Sequence, residues 1–200
     1  DTMQKLKIIS ALVTGGRIDE LDISYQGIEK ISIADIKYAN QNNLTIKLLA
    51  YASYGDATAK LFVSPVFINK SDVIAQVKQN YNMVNVRSKY AKDTTLIGFG
   101  AGGLETASAV YADIQHLIIQ KPNYKISNLD IAYEEWFFEK NKYYIRYDKD
   151  LEELLEVLDD SKILEHKKEE KYILVLFEDL DNLKKLRKKF PNIVSFPILD

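Results

Sequence analysis

The chain has 200 residues, 46% apolar and 28% charged, a composition that suits a folded globular protein with one sizeable core, or one core plus a small satellite domain, and excludes a disordered one. No cysteine and only two histidines, His116 and His166, exclude a disulfide scaffold, a thiol nucleophile and a cysteine zinc site, so no metal is expected. A net charge of -2 gives no attraction for a nucleic-acid backbone, and no window nears the roughly 18 apolar residues of a membrane span, so neither partner is expected and the chain reads as cytoplasmic.

In chain order, Leu6, Ile9, Leu12 and Val13 fall at helical spacing over Thr2 to Thr14, with Asp1 in the capping position and Gly15-Gly16 after the end. Ser32 is suited to cap a second helix over Ile33 to Asn40. Leu44 to Tyr54 and Ala57 to Ile68, with Gly55-Asp56 between them, read as a hairpin in which Pro65 points to a sheet edge or an irregularity. Ser71 then caps a short helix over Asp72 to Val77, and Tyr81 to Arg87 and Thr94 to Gly98 are two further strands. The expected picture is an antiparallel meander with helices on one face, closed by Gly98 to Gly103 and a helix from Leu104 to Gln120.

Residues 1 to 138 carry 28 charged side chains and the last 62 carry another 28, which divides the chain in two. The division expected is 1–122, a linker over 123–138, and a second domain over 139–200. The tail alternates as strand 143–147, helix 151–158, strands 163–167 and 172–177, helix 180–190 and strand 193–198. That βαββαβ order builds a ferredoxin-like sheet with two helices on one side. The fold class expected is therefore α+β, a mostly antiparallel sheet covered by helices followed by a small βαββαβ domain.

Gly98, Gly100 and Gly103 satisfy G-x-G-x-x-G between a strand and a helix. A dinucleotide fingerprint opens a parallel βαβ unit, whereas this one closes a meander, so the pattern alone favours a structural turn. Asp1 and Lys5, four apart at a helix start, form either a surface ion pair or a lysine oriented for proton transfer. Lys184, Lys185, Arg187, Lys188 and Lys189 complement a helix C-terminus, with Glu169, Glu170 and Asp179 to Asp181 cancelling their field. Tyr133, Trp136, Phe137 and Phe138 read as a docking surface or a core edge.

Taken together, these segments resemble the C-terminal part of homoserine dehydrogenase. Asp1 to Leu6 is similar to the family's D-x-x-x-K-L helix, Gln26-Gly27-Ile28 with Ile33 to Ile36 to its E-G-I and D-I segments, and Ile46 to Leu49 to its I-K-L-L strand. Pro65-Val66-Phe67 and Asn82-Met83-Val84 fall where the family has P-x-x and N-A-V. Gly100 to Val110, with Asp113 after it, resembles G-A-G-G-x-x-T-A-S-A-V-x-x-D. The match covers about residues 1 to 120, and the tail only by position.

The resemblance implies an NAD(P)-dependent oxidoreductase that interconverts homoserine and aspartate semialdehyde on the way to threonine, methionine and isoleucine. In it Lys5 is the catalytic proton donor and acceptor, and Asp1 binds and orients substrate beside it. Gly98, Gly100, Ala101, Gly102, Gly103 and Thr106 lie near the cofactor, and a homodimer forms through the middle sheet. The family's dinucleotide fingerprint lies upstream of the matched part. With its first residue Asp1 rather than Met, the chain is expected to be the back part of a longer protein, to bind NAD(P) poorly and to be inactive alone. In many relatives the tail is an ACT domain, an amino-acid sensor. The effector turn there carries glycine, whereas here it reads Asp148-Lys149-Asp150. The alternative is a stand-alone, non-catalytic amino-acid-binding or dimerisation module.

Overall fold

A computed structural model describes residues 1–16, 23–55, 58–120, 132–135, 142–148, 151–158, 163–177 and 180–199. They form two compact units, one of Asp1–Asn69 with Ile126–Asp200, the other of Lys70–Lys125. These units cut the chain elsewhere than its charge distribution does, because strands from the tail hydrogen-bond to the front.

In the first unit, helix α1 (Thr2–Thr14) ends at Gly15, whose φ of 69° lets its N–H return to the Ala11 carbonyl. Strand β1 is only Ser24–Tyr25, and helix α2 (Ile33–Gln41) opens on a capping box. There the Ser32 N–H and hydroxyl donate to Asp35 Oδ2 at 2.7 and 3.0 Å. Strands β2 (Leu44–Tyr54) and β3 (Thr58–Asn69) pair antiparallel along their length, as the hairpin reading expected.

β3 is not an edge. Opposite β2 it receives three short parallel partners: β6 (Ala132–Glu135) at Thr58–Leu61, β1 at Phe62–Val63 and β10 (Val194–Leu199) at Phe67–Ile68. The Val63 carbonyl accepts from the Gln26 N–H at 2.8 Å, on that side. Alternate residues address the same edge, so the nitrogen of Pro65 faces the gap between β1 and β10, where no donor is needed.

The remaining tail elements are β7 (Lys142–Arg146), α4 (Leu151–Val157), β8 (Ile163–Lys167), β9 (Tyr172–Leu176) and α5 (Leu180–Lys189). Their strands run β10-β7-β9-β8, antiparallel throughout, the order expected of a βαββαβ unit, and β10 splices this sheet onto β3. Antiparallel pairings predominate in a mixed eight-stranded sheet. The core at the splice is aromatic: Tyr38 of α2 stacks among Phe67, Tyr144 and Tyr172 at 4.6–5.2 Å, beside Phe196.

Burial, followed by the Asp35 carboxylate that hydrogen-bonds it, holds the Tyr144 hydroxyl far above its ordinary pKa, and burial raises Tyr172 and Tyr147 as well. Each phenol holds its proton to higher pH folded than unfolded, where it ionises near pH ~10, so alkali favours the unfolded state. The urea midpoint is expected to be flat on this account below about pH 9 and to fall above about pH 10, less steeply in Tyr172→Phe. A midpoint that held from pH 9 to 11 would contradict this.

The second unit differs from the expected meander: β4 (Tyr81–Ser88) and β5 (Lys92–Phe99) make their own two-stranded antiparallel sheet. Asp72–Val77 yields only a 3-10 turn over Ile74–Gln76, because the Asp72 carboxylate takes the Ile74 N–H at 2.7 Å. Helix α3 (Gly103–Gln120) follows, and its described side chains are all exposed, Val110, Tyr111, Ile114 and Leu117 among them. In α1 likewise only Leu6 and Ser10 are buried; Ile9, Leu12 and Val13, which completed its apolar spacing, face outward. No helix among the described residues is long and apolar enough to cross a membrane.

Candidate active site

Helix α1 lies against β2 and β3, with Leu6 buried beside Ile23, Leu61 and Val63 and Met3 half-buried on the same cluster. Ser10, fully buried, bonds the Tyr54 hydroxyl at 2.8 Å. These contacts fix the helix axis. The Lys5 N–H bonds the Asp1 carbonyl at 3.1 Å, and one turn places Lys5 Nζ 3.1 Å from Asp1 Oδ2. Both side chains remain open, 54% and 82% exposed. Since the Asp1 carboxylate makes no capping hydrogen bond, its partner here is the ammonium.

The glycine turn is built within the second unit. Asn80 braces it from both sides: its carbonyl accepts the Gly100 N–H at 2.7 Å and its amide donates to the Ala101 carbonyl at 3.0 Å. Sequence reading passed over Asn80, since one amide before a strand carries no periodic signal. Gly102 has φ 147°, a conformation that side chains rarely adopt, and its carbonyl accepts the Thr106 N–H at 3.0 Å to start α3. A Cβ at Gly98 or Gly103 would meet no atom within 4 Å, so the chain's own packing does not require glycine there.

This turn differs from a dinucleotide fingerprint in its surroundings. β5 has only the antiparallel β4 beside it among the described residues, and the Glu105 carboxylate folds over Gly102, where it would repel a phosphate. Asp1 and Lys5 belong to one unit, and Gly98, Gly100, Ala101, Gly102, Gly103 and Thr106 to the other.

The basic run of α5 is not all solvated. Arg187 Nε donates to Ser195 Oγ at 3.0 Å and Nη2 to the Ser195 carbonyl at 3.2 Å, with Ser24 Oγ and Gln26 Oε1 at 3.5 Å. It thus ties the tail to β1 and to the Gln26-Gly27-Ile28 segment. Trp136, Phe137 and Phe138, the side chain of Tyr133, and Lys149-Asp150 lie outside the described residues. Among the described residues no group of three or more acidic or histidine side chains could hold a metal ion.

Residues 1–115 match the family model for homoserine dehydrogenase. The chain belongs to the homoserine dehydrogenase family. Among solved structures it is similar to a homoserine dehydrogenase from Thiobacillus denitrificans, at 24% identity and a TM-score of 0.68 over 99% of this chain and 52% of that one. The S. aureus homoserine dehydrogenase at pH 6.5 follows at 23% identity and a TM-score of 0.64, again over 99% of this chain and 52% of that one. At these identities the likeness is one of fold, and the chain spans about half the length of these relatives. No curated protein matches it. Within the homoserine dehydrogenase family match lie Asp1, Lys5 and the whole glycine turn, whereas the tail lies beyond it.

Proposed function

We propose that this chain supplies the substrate and proton-transfer portion of a homoserine dehydrogenase, interconverting L-homoserine and L-aspartate 4-semialdehyde with NAD(P) held by a separate nucleotide-binding part. The observation that carries it is the Asp1–Lys5 pair, on the first turn of α1 and within the matched residues. When the aldehyde carbon accepts hydride, its oxygen becomes an alkoxide and needs a proton. The Lys5 ammonium gives one from Nζ, becoming an amine that solvent recharges, and the reverse path returns the proton in homoserine oxidation. Asp1 holds the ammonium in place and accepts a hydrogen bond from the substrate.

The open space above Gly98 and Gly103 supports a close approach by the nucleotide part to the glycine turn. Outward apolar residues on α1 and α3 support further partners of the same chain or assembly. For the homodimer through the middle sheet, the support is the edge of β2, which pairs only with β3 among the described residues. For an ACT-like tail it is the order β10-β7-β9-β8.

The test joins the chain to a homoserine dehydrogenase nucleotide-binding half and follows homoserine-dependent reduction of NADP at 340 nm. Turnover with the joined protein and none with the 200-residue chain is the expected result. An inactive joined protein that binds NADP normally would overturn the reading.

A further inference from the structure

Strand β1 is too short to hold itself. Its two residues pair with β3 as Ser24 with Phe62 and Tyr25 with Val63, one further bond runs from the Gln26 N–H to the Val63 carbonyl, and among the described residues β1 has no second strand beside it. The hold comes from α5. Arg187 is anchored on β10, by Nε on Ser195 Oγ at 3.0 Å and by Nη2 on the Ser195 carbonyl at 3.2 Å, and the outer edge of the same fork reaches Ser24 Oγ and Gln26 Oε1 at 3.5 Å. Ser24 and Ser195 are both buried, so without the guanidinium their oxygens would lose a charged donor where little water can replace it.

What β1 carries is part of the floor of α1. Ile23, the residue before it, is buried in one cluster with Leu6, Leu61 and Val63. Leu61 and Val63 are set by the long β2–β3 ladder, whereas the place of Ile23 depends on β1. Leu6 follows Lys5 in the chain and Met3 leans on the same cluster, so a shift of Ile23 tilts the turn that bears the Asp1–Lys5 pair. The bond of Ser10 to Tyr54 pins the helix further along and leaves that tilt to the cluster. We propose that Arg187 is a positioning residue for the proton transfer: through β1 and Ile23 it sets the first turn of α1, and with it the aim of Lys5 Nζ at the substrate oxygen. The proposal rests on Lys5 as the proton carrier and calls for no ligand in the tail. It makes α5 part of the catalytic scaffold, where a misplacement of about 1 Å can cost ~100-fold in rate.

The joined enzyme and the 200-residue chain decide it together. In the joined enzyme Arg187→Ala is expected to lower kcat about tenfold or more, while KM for homoserine and for NADP moves far less, because aim is lost and binding is not. Ser24→Ala/Gln26→Ala, which spares the bonds to Ser195, should lower kcat in the same way by less, and keeps the test open should Arg187→Ala not fold. Leu154→Ala, at a buried position of α4, hollows the tail's own core without touching these bonds, and is expected to lower Tm and keep the parent kcat. In the 200-residue chain, NOEs between the Leu6 and Ile23 methyl groups should weaken in Arg187→Ala and in the double variant and persist in Leu154→Ala, a readout that needs no turnover. A joined parent without turnover defeats the dehydrogenase reading and this proposal with it. With an active parent, an undiminished kcat in the folded Arg187 and Ser24/Gln26 variants, an equal loss in Leu154→Ala, or unchanged NOEs would each overturn the role of Arg187 alone.

Discussion

Lys5→Ala in the joined enzyme is expected to lower kcat for homoserine oxidation by about 100- to 10,000-fold, the usual worth of a positioned general acid or base. The homoserine KM should move far less, because the alkoxide proton is exchanged only as the reaction proceeds. The ion pair with Asp1 is open to water, and exposed i,i+4 pairs contribute only ~0.3–0.5 kcal/mol to stability. The fold should therefore be indifferent to the change, so a lost rate cannot be blamed on unfolding. Asp1→Asn should show a smaller fall in kcat together with a raised KM, as fits a residue that orients the lysine and touches substrate. A Lys5→Ala rate within tenfold of the parent enzyme would remove this lysine from the chemistry.

The largest expected loss of stability belongs to Asp35. Its carboxylate is fully buried and accepts from the Ser32 N–H and hydroxyl, from Arg146 Nε at 2.8 Å and from the Tyr144 hydroxyl. Removing it strands a guanidinium whose side chain is 17% exposed and unpicks the cap of α2 in one step. Breaking one side of such a pair costs about 3–5 kcal/mol. For a chain of this size Asp35→Ala should lower Tm by roughly 6–20 °C. Asp35→Leu combined with Arg146→Met should recover part of that loss, since no charge is then left unpaired. A single-variant loss below about 1 kcal/mol in urea unfolding would mean that water reaches the pair.

The two positions contrast in what the sequence discloses. Asp1 and Lys5 are local: a turn of helix brings them together, and spacing reads out such a pair directly. The caps were equally legible, Ser32 and Gly15 acting where residue type alone sends them. Asp35 meets Arg146, 111 positions further along the chain, and nothing in either neighbourhood marks one for the other. The sequence marks Arg187 only as one of the charges that complement the end of α5, since its partner Ser195 carries no charge signal.

Short strands were also silent. β1 has two residues and β6 four, too few for any alternation, and each exists because β3 offers it an edge. The spacing of Leu6, Ile9, Leu12 and Val13 gave the helix correctly, yet Ile9, Leu12 and Val13 face away from the sheet. Periodicity reports that a face is apolar without naming what covers it.

The pairing of Phe67 and Ile68 with Ile198 and Leu199 has a consequence during synthesis. About 130 residues must leave the ribosome between the two halves of that ladder, a wait of roughly 6–26 s at ~5–20 residues per second. Until then the far end of β3 is a raw hydrogen-bonding margin beside buried aromatic rings, open to any nascent neighbour. Closure of this sheet therefore waits on the codons for Ile198 and Leu199, and a chaperone that shields the hairpin through that interval should raise the yield of native molecules more than one that acts later.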